Sequence, residues 1–415
     1  MVNIGNILTL RYDPSSVQGR ENNDVSIRRI TSDELYHLRQ VINLDRNNIP
    51  TTHELEMEIR RIIKNKIEES KQKRVAVALS SGVDSNVVFS LIRKEFPSIE
   101  IDCLNVTFDE DSEALRSREI AESKEAAFHE IHVDNPLKNL PMILSITKEP
   151  RWNVYQYYFI EKASYISNLL FTGDGGDELF AGYTFRYKKY LEAISPSSST
   201  EEKVCTYLQC HERDWVPDQV DIFAGTLTQF KWELIYQLLE KYFDSSLEPL
   251  EQVLLADYHG KLMYDFIPTN EKLFEHFNTE GIAPLLSSQI IDLSIKIPAT
   301  LKYDLDANIG KIQLRKILRQ NIPEFPEGDG KRGFGMDLAR LWSRVGKETV
   351  LSNLDKGRIF EDKIINREWY QKSLSIINEN LEAATRYISK MLQLLSLEIW
   401  YRLFVTHEMK PNHSI

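Results

Sequence analysis

Cysteine is scarce, with only Cys103, Cys205 and Cys210 in 415 residues. So few thiols exclude a disulfide-built fold and point to a reducing compartment such as the cytoplasm. Cys205 and Cys210 lack metal-ligand spacing with any nearby histidine, so all three read as packing residues. No stretch reaches the roughly 18 continuous apolar residues of a membrane span. The opening Met1-Val-Asn-Ile-Gly-Asn-Ile-Leu-Thr-Leu-Arg11 lacks the charged and apolar regions of a signal peptide. Long basic runs are missing too, and the net charge of −11 disfavours nonspecific binding to nucleic acid or anionic membrane. There is no internal repeat. The Gly-Lys-Ser/Thr of a Walker loop is also absent, which argues against a kinase or GTPase.

What is present begins with alternation. From Arg74 to Tyr183, apolar runs predict strands at 74–79, 100–107, 128–133 and 168–172. Helical spacing predicts helices at 85–95, 112–126, 137–147 and 154–167. This is the pattern of an α/β fold, a parallel sheet with helices on both faces. Upstream, Thr51 and Glu54 suggest a capping box that opens a helix with Leu55, Ile59, Ile62, Ile63 and Ile67 on one face. After Arg186 strand signals fade and helical periodicity dominates. The chain therefore divides into a segment 1–50 with no assigned role, an α/β core at 51–185 and a mostly helical part at 186–410.

Two loops carry the chemistry. Val75–Leu79 runs straight into Ser80-Ser-Gly-Val-Asp-Ser85, and helical spacing restarts at Val87, Val88, Leu91 and Ile92. Small residues let the backbone approach an anion, and the N–H groups of the first helical turn point at it. Asp84 would repel a phosphate unless a cation lay between them, which suggests Mg²⁺ held against a nucleotide. The second loop follows the short apolar run Leu169-Leu-Phe171 and reads Thr172-Gly-Asp-Gly-Gly-Asp-Glu-Leu-Phe-Ala-Gly-Tyr183. Acids among glycines at the end of a strand lie where open α/β sheets bind ligands.

Together the loops resemble the synthetase domain of the asparagine synthetase family, a pyrophosphate-loop ATP pyrophosphatase, without its N-terminal glutaminase domain. Ser80–Ser85 is similar to the family's S-G-G-x-D-S, with Ser81 in place of a glycine, and Gly173–Phe180 is close to its S-G-(E/D)-G-x-D-E-L/V-F. Weaker pieces follow in the same order. Glu149-Pro150 matches an acidic position, and Glu280–Ser287 stands where the family has E-x-R-x-P-F-L-D. Leu301–Lys311 with Leu314-Arg315 resembles L-K-x…G-K…L-R, and Lys331-Arg-Gly-Phe334 reproduces K-R-G-F. Leu394–Trp400 is similar to the family's terminal helix. The resemblance runs from about Glu54 to Phe404.

The resemblance implies an adenine nucleotide alpha hydrolase-like core and an ATP-dependent, AMP-forming amide ligase. Its substrate would be aspartate or a related acid, activated as an acyl-adenylate for attack by ammonia or an amine. Ser80, Ser81, Gly82 and Ser85 would hold pyrophosphate, while Asp84 and Asp177 would share Mg²⁺. Leu79, Val106, Thr172 and Gly173 would line the adenosine pocket. Lys331 would stabilise charge at the reacting centre. Asp174 would orient the amine or take its proton, one methylene shorter than the family's Glu. Glu280 is either a substrate contact or a structural salt bridge.

Departures from the family pattern matter as much. Residue 2 is Val where glutamine-using members carry Cys, and a loop at Ser80 comes too early for a hydrolase domain to precede it. The expected nitrogen source is therefore ammonia, the product of a separate glutaminase subunit, or an amine on another substrate. Ile282 and Ser287 replace the Arg and Asp of E-x-R-x-P-F-L-D, which leaves the acyl substrate open. Alternatives are a cyclase of the β-lactam synthetase or lasso type, or a noncatalytic binding relative, although Asp84, Asp177 and Lys331 are all present. A tRNA thiolase would bring paired cysteines and a basic surface, and neither is seen. No nucleic-acid or membrane partner is expected, and a homodimer is left open.

Overall fold

The structure is a computed structural model. It describes residues 3–14, 30–44, 48–108, 112–195, 197–212, 214–225, 230–325, 336–382 and 384–415. Five parallel strands form one sheet: β1 (Arg74–Ala78), β2 (Glu100–Thr107), β3 (Ala127–His132), β4 (Leu169–Phe171) and β5 (Glu280–Ile282). Their order is β3-β2-β1-β4-β5. From β1 the chain goes first to one side and later returns to the other, so the switch point falls between β1 and β4. The loops that leave these two strands diverge there, and the crevice between them is where such sheets receive ligands.

Alternating residues of β1 explain the two covered faces. Val75 and Val77 pack with Leu55, Ile59 and Ile63 of the Thr52–Ser70 helix and with Val87 and Val88 of the Val83–Glu95 helix. Ala76 faces the other way, with Ile143, Tyr157, Ile160 and Leu273. Period-2 alternation with both faces apolar is the signature of a sheet buried on both sides. The capping box at Thr51 is complete: Glu54 N–H donates to Thr51 Oγ1 at 3.1 Å and Thr51 N–H to Glu54 Oε2 at 2.7 Å.

The fifth strand departs from the four that the sequence predicts. It has three residues with a glycine at the centre, too short for alternation to register. Glycine is needed there because a Cβ on Gly281 would sit 2.0 Å from the Phe274 ring. The part after residue 186 thus contributes a strand to the sheet as well as helices.

The amino-terminal segment also has a place. The Ile4–Leu10 helix buries Asn6, Ile7, Leu8, Thr9 and Leu10. Gln219 Nε2 donates to Leu8 O at 2.9 Å, the buried Lys390 amine also reaches Leu8 O, and Arg11 pairs with Asp214 at 2.5 Å. Leu8 packs in one cluster with the Thr385–Phe404 helix, so the two ends of the described chain share a core. Among the described residues no helix is long and apolar enough to cross a membrane.

Candidate active site

The first loop is built from its own side chains. Ser80 N–H donates to Ser85 Oγ at 3.1 Å, Gly82 N–H to Ser80 Oγ at 3.2 Å, and Asn86 Nδ2 to the carbonyls of Ser80 and Gly82 at 2.8 and 2.7 Å. Asn105 of β2 donates to Leu79 O at 2.7 Å and ties the loop to the sheet. Gly82 caps the Val83–Glu95 helix without a side-chain hydrogen bond. No side chain caps the start of this helix, and uncapped N–H groups there are the kind that receive an anion. Leu79 and Val106 are buried near the carboxyl ends of β1 and β2.

The second loop presses against the first through its glycines. A Cβ on Gly173 would lie 2.6 Å from Ser85 N and 2.8 Å from the Asp84 carbonyl carbon, and one on Gly176 would meet the Asp84 carboxylate at 2.3 Å. Gly175 has φ +90°, the left-handed region that glycine enters at little cost. Asp84 and Asp177 each stand in the first turn of a helix, Val83–Glu95 and Gly176–Phe180.

Between these two carboxylates stands Lys311. Its Nζ is 2.5 Å from Asp84 Oδ2 and 2.5 Å from Asp177 Oδ1. Burial alone would lower its pKa, but the charges of Asp177 and Asp84 more than offset that and raise it. Lys311 N–H donates to Phe180 O at 2.8 Å, and a Cβ on Gly310 would strike Ala181 O at 1.8 Å. The Gly310–Lys311 turn is therefore stitched to the end of the Gly176–Phe180 helix. Lys311 has φ +58°, a left-handed conformation that costs a lysine about 1–2 kcal/mol. Sequence reasoning missed this residue, although the G-K of the Leu301–Arg315 segment carried the signal.

Asp174 sits beside this cluster. Its Oδ2 accepts from Thr172 Oγ1 at 2.9 Å and from Asn270 Nδ2 at 3.0 Å. Burial raises its pKa, and the nearby charges of Asp84 and Asp177 add to the rise against those hydrogen bonds. Thr172 and Gly173 join it at the same edge.

One expected residue, Glu280, is not brought here, and another, Lys331, lies outside the described residues together with Arg332, Gly333 and Phe334. Glu280 opens β5, and in an all-parallel sheet a residue that starts a strand lies across the sheet from loops that end strands. It is exposed and pairs with Lys66 at 3.1 Å, so the geometry favours the salt bridge over the substrate contact. The departures at Ile282 and Ser287 have structural uses. The Ile282 side chain is buried in the core, and Ser287 Oγ caps the Ser288–Ile295 helix by accepting from Ile290 N–H at 3.3 Å.

Glu178 adds a pH-sensitive group. It is buried, its Oε1 accepts from Tyr183 Oη at 2.5 Å, and burial with the charge of Asp177 pushes its pKa up to about 7. Between the ordinary glutamate range and pH 7 the folded state holds a proton that the unfolded chain has released, so stability falls as pH rises across that window. Glu178→Gln removes the effect. Its melting temperature should match the wild type near pH 4.5 and exceed it by a few degrees at pH 8 (on the order of 1 kcal/mol or more). A difference that stays flat with pH would show Glu178 ionised throughout.

Asp84 and Asp177 fit a nucleotide-bound Mg²⁺, which takes one or two carboxylates from the protein and completes its shell with phosphate oxygens and water. Together with Lys311 they keep a net negative charge. Among the described residues no group of three or more His, Cys, Asp or Glu side chains forms a metal cage without help from a ligand. The family model for asparagine synthase matches residues 58–402. No individual curated protein matches the chain.

Proposed function

The chain belongs to the asparagine synthase family, and from that premise we propose that it is an AMP-forming amide ligase. Membership carries ATP-dependent ligation of the amidation type. The adenylation step, the metal and the nitrogen donor are our reading. The observation that carries it is the Asp84–Lys311–Asp177 arrangement, with Asp84 and Lys311 buried, beside the uncapped start of the Val83–Glu95 helix.

A carboxylate is a poor electrophile. Adenylation replaces one of its oxygens by AMP, a good leaving group, and pyrophosphate departs. Ser80, Ser81, Gly82 and Ser85 receive the pyrophosphate end through loop amides and hydroxyls, with Lys311 close enough to share its charge. Bound Mg²⁺ would be held by Asp84 and Asp177 and would offset the charge of the phosphates. Leu79, Val106, Thr172 and Gly173 take the adenosine. Lys331 stabilises charge at the reacting carbonyl, and Asp174 accepts a proton from the attacking amine.

The test is pyrophosphate release with ATP and Mg²⁺ across a panel of carboxylates, aspartate included, with and without ammonium. One carboxylate should support release, and amide should form when ammonium is added. At fixed total ammonium the rate should rise with pH above neutrality, because only unprotonated ammonia attacks. Glutamine should be ignored unless a separate glutaminase is supplied. Release from no carboxylate would overturn the ligase reading, and glutamine-dependent amide formation by the chain alone would overturn the nitrogen assignment.

A further inference from the structure

Asn270 belongs to none of the matched motifs, yet it reaches the centre of the site. It stands on the Ile267–Phe277 helix and is 6% exposed. Its Nδ2 donates to Asp174 Oδ2 at 3.0 Å. Its neighbours hold the helix in place. Arg151 Nη1 donates to Thr269 Oγ1 at 2.6 Å, and Lys272 Nζ reaches Glu149 Oε1 at 2.8 Å and also Thr147 O. Asn270 Oδ1 is buried and has no hydrogen-bond partner among the described residues. A carboxylate accepts and does not donate, so the amide must turn Nδ2 toward Asp174, and Oδ1 is left to something else.

We propose that Asn270 is the positioning residue for Asp174 and that its Oδ1 receives an N–H of the incoming nucleophile. The inference rests on the ligase reading and names the class of nucleophile. Thr172 and Asn270 fix Asp174 through Oδ2, and in the proposed arrangement Oδ1 of Asp174 and the unpartnered Oδ1 of Asn270 receive the same ligand. A nucleophile that satisfies both must carry at least two hydrogens on its attacking atom. Ammonia and primary amines do, whereas a hydroxyl or thiol has one. In the step itself the nitrogen lone pair forms the C–N bond and the C–O bond to AMP breaks with its electron pair. One N–H proton passes to Asp174, and the second hydrogen stays on the amide nitrogen facing Asn270.

Asn270→Leu tests this, using the carboxylate that supports pyrophosphate release. The KM for ammonium should rise at least tenfold while ATP–pyrophosphate exchange, which needs no nucleophile, stays within twofold. A merely structural role would lower both rates together, and that result, or an unchanged KM, would overturn the proposal. A second measurement is independent of turnover. Crystals soaked in rubidium chloride, a monovalent stand-in for ammonium, should show an anomalous peak against Asp174 and Asn270 in the wild type and none in Asn270→Leu. No peak in the wild type overturns the inference whatever the activity. A peak in a protein that releases pyrophosphate with no carboxylate supports the site and removes the ligase reading instead.

Discussion

Lys311→Met is expected to reduce pyrophosphate release by at least roughly 10²–10³-fold, the scale seen when a preorganised charge-stabilising donor is lost. The same change should destabilise the fold. Lys311 is the ammonium placed 2.5 Å from both Asp84 and Asp177, and methionine would leave two acids facing each other beside Asp174. Breaking a buried ion pair costs about 3–5 kcal/mol, and partial exposure of Asp177 reduces that to about 2–3 kcal/mol here. The sign with pH is definite. Without the lysine two like charges are held together in the folded state and not in the unfolded chain, so the variant loses stability as pH climbs and both carboxylates ionise. Adding Asp84→Asn to Lys311→Met should recover stability and leave catalysis lost. Denaturant unfolding at pH 5 and 8, beside a coupled pyrophosphate assay, separates the two effects. Near-wild-type turnover in Lys311→Met would remove it from the chemistry.

Gly173→Ala is expected to be nearly as damaging through geometry alone. The new Cβ would lie 2.6 Å from Ser85 N and 2.8 Å from the Asp84 carbonyl carbon, both backbone atoms. Neither can move aside as a side chain can, so the two loops must part. A displacement of about 1 Å between reacting groups can cost roughly 10²-fold in rate. Turnover should fall on that scale, with a stability loss of about 1–3 kcal/mol from overpacking. Gly5→Ala is the control, because its Cβ would meet nothing nearer than a side-chain oxygen at 3.3 Å. It should leave turnover unchanged. Equal turnover in Gly173→Ala and the wild type would mean that the loops need not touch.

Much of this was legible in the chain. Four strands and the helices between them followed from β-branched runs alternating with helical spacing, and Ser80–Ser85 and Thr172–Asp177 stood out because small residues and acids directly follow strands. For Glu280 the motif resemblance left a substrate contact and a salt bridge both open, and β5 carries Ile282 toward the site and Glu280 away from it, beside Lys66. Three residues of strand around Gly281 are too few for a periodic signal, so neither the strand nor its direction could be read.

Local chemistry thus determined which segments could bind phosphate and which acids could act, since both depend on neighbours within a few residues. The companions of those acids were decided by tertiary structure. Lys311 and Asn270 approach Asp84, Asp177 and Asp174 from 227, 134 and 96 positions away. Parallel strands bring distant chain ends to one edge, and only the folded sheet sets which helix starts meet there. A lysine or asparagine carries no mark of burial in its own sequence. Its charge or its unpaired oxygen takes on meaning only once packing has removed the water around it.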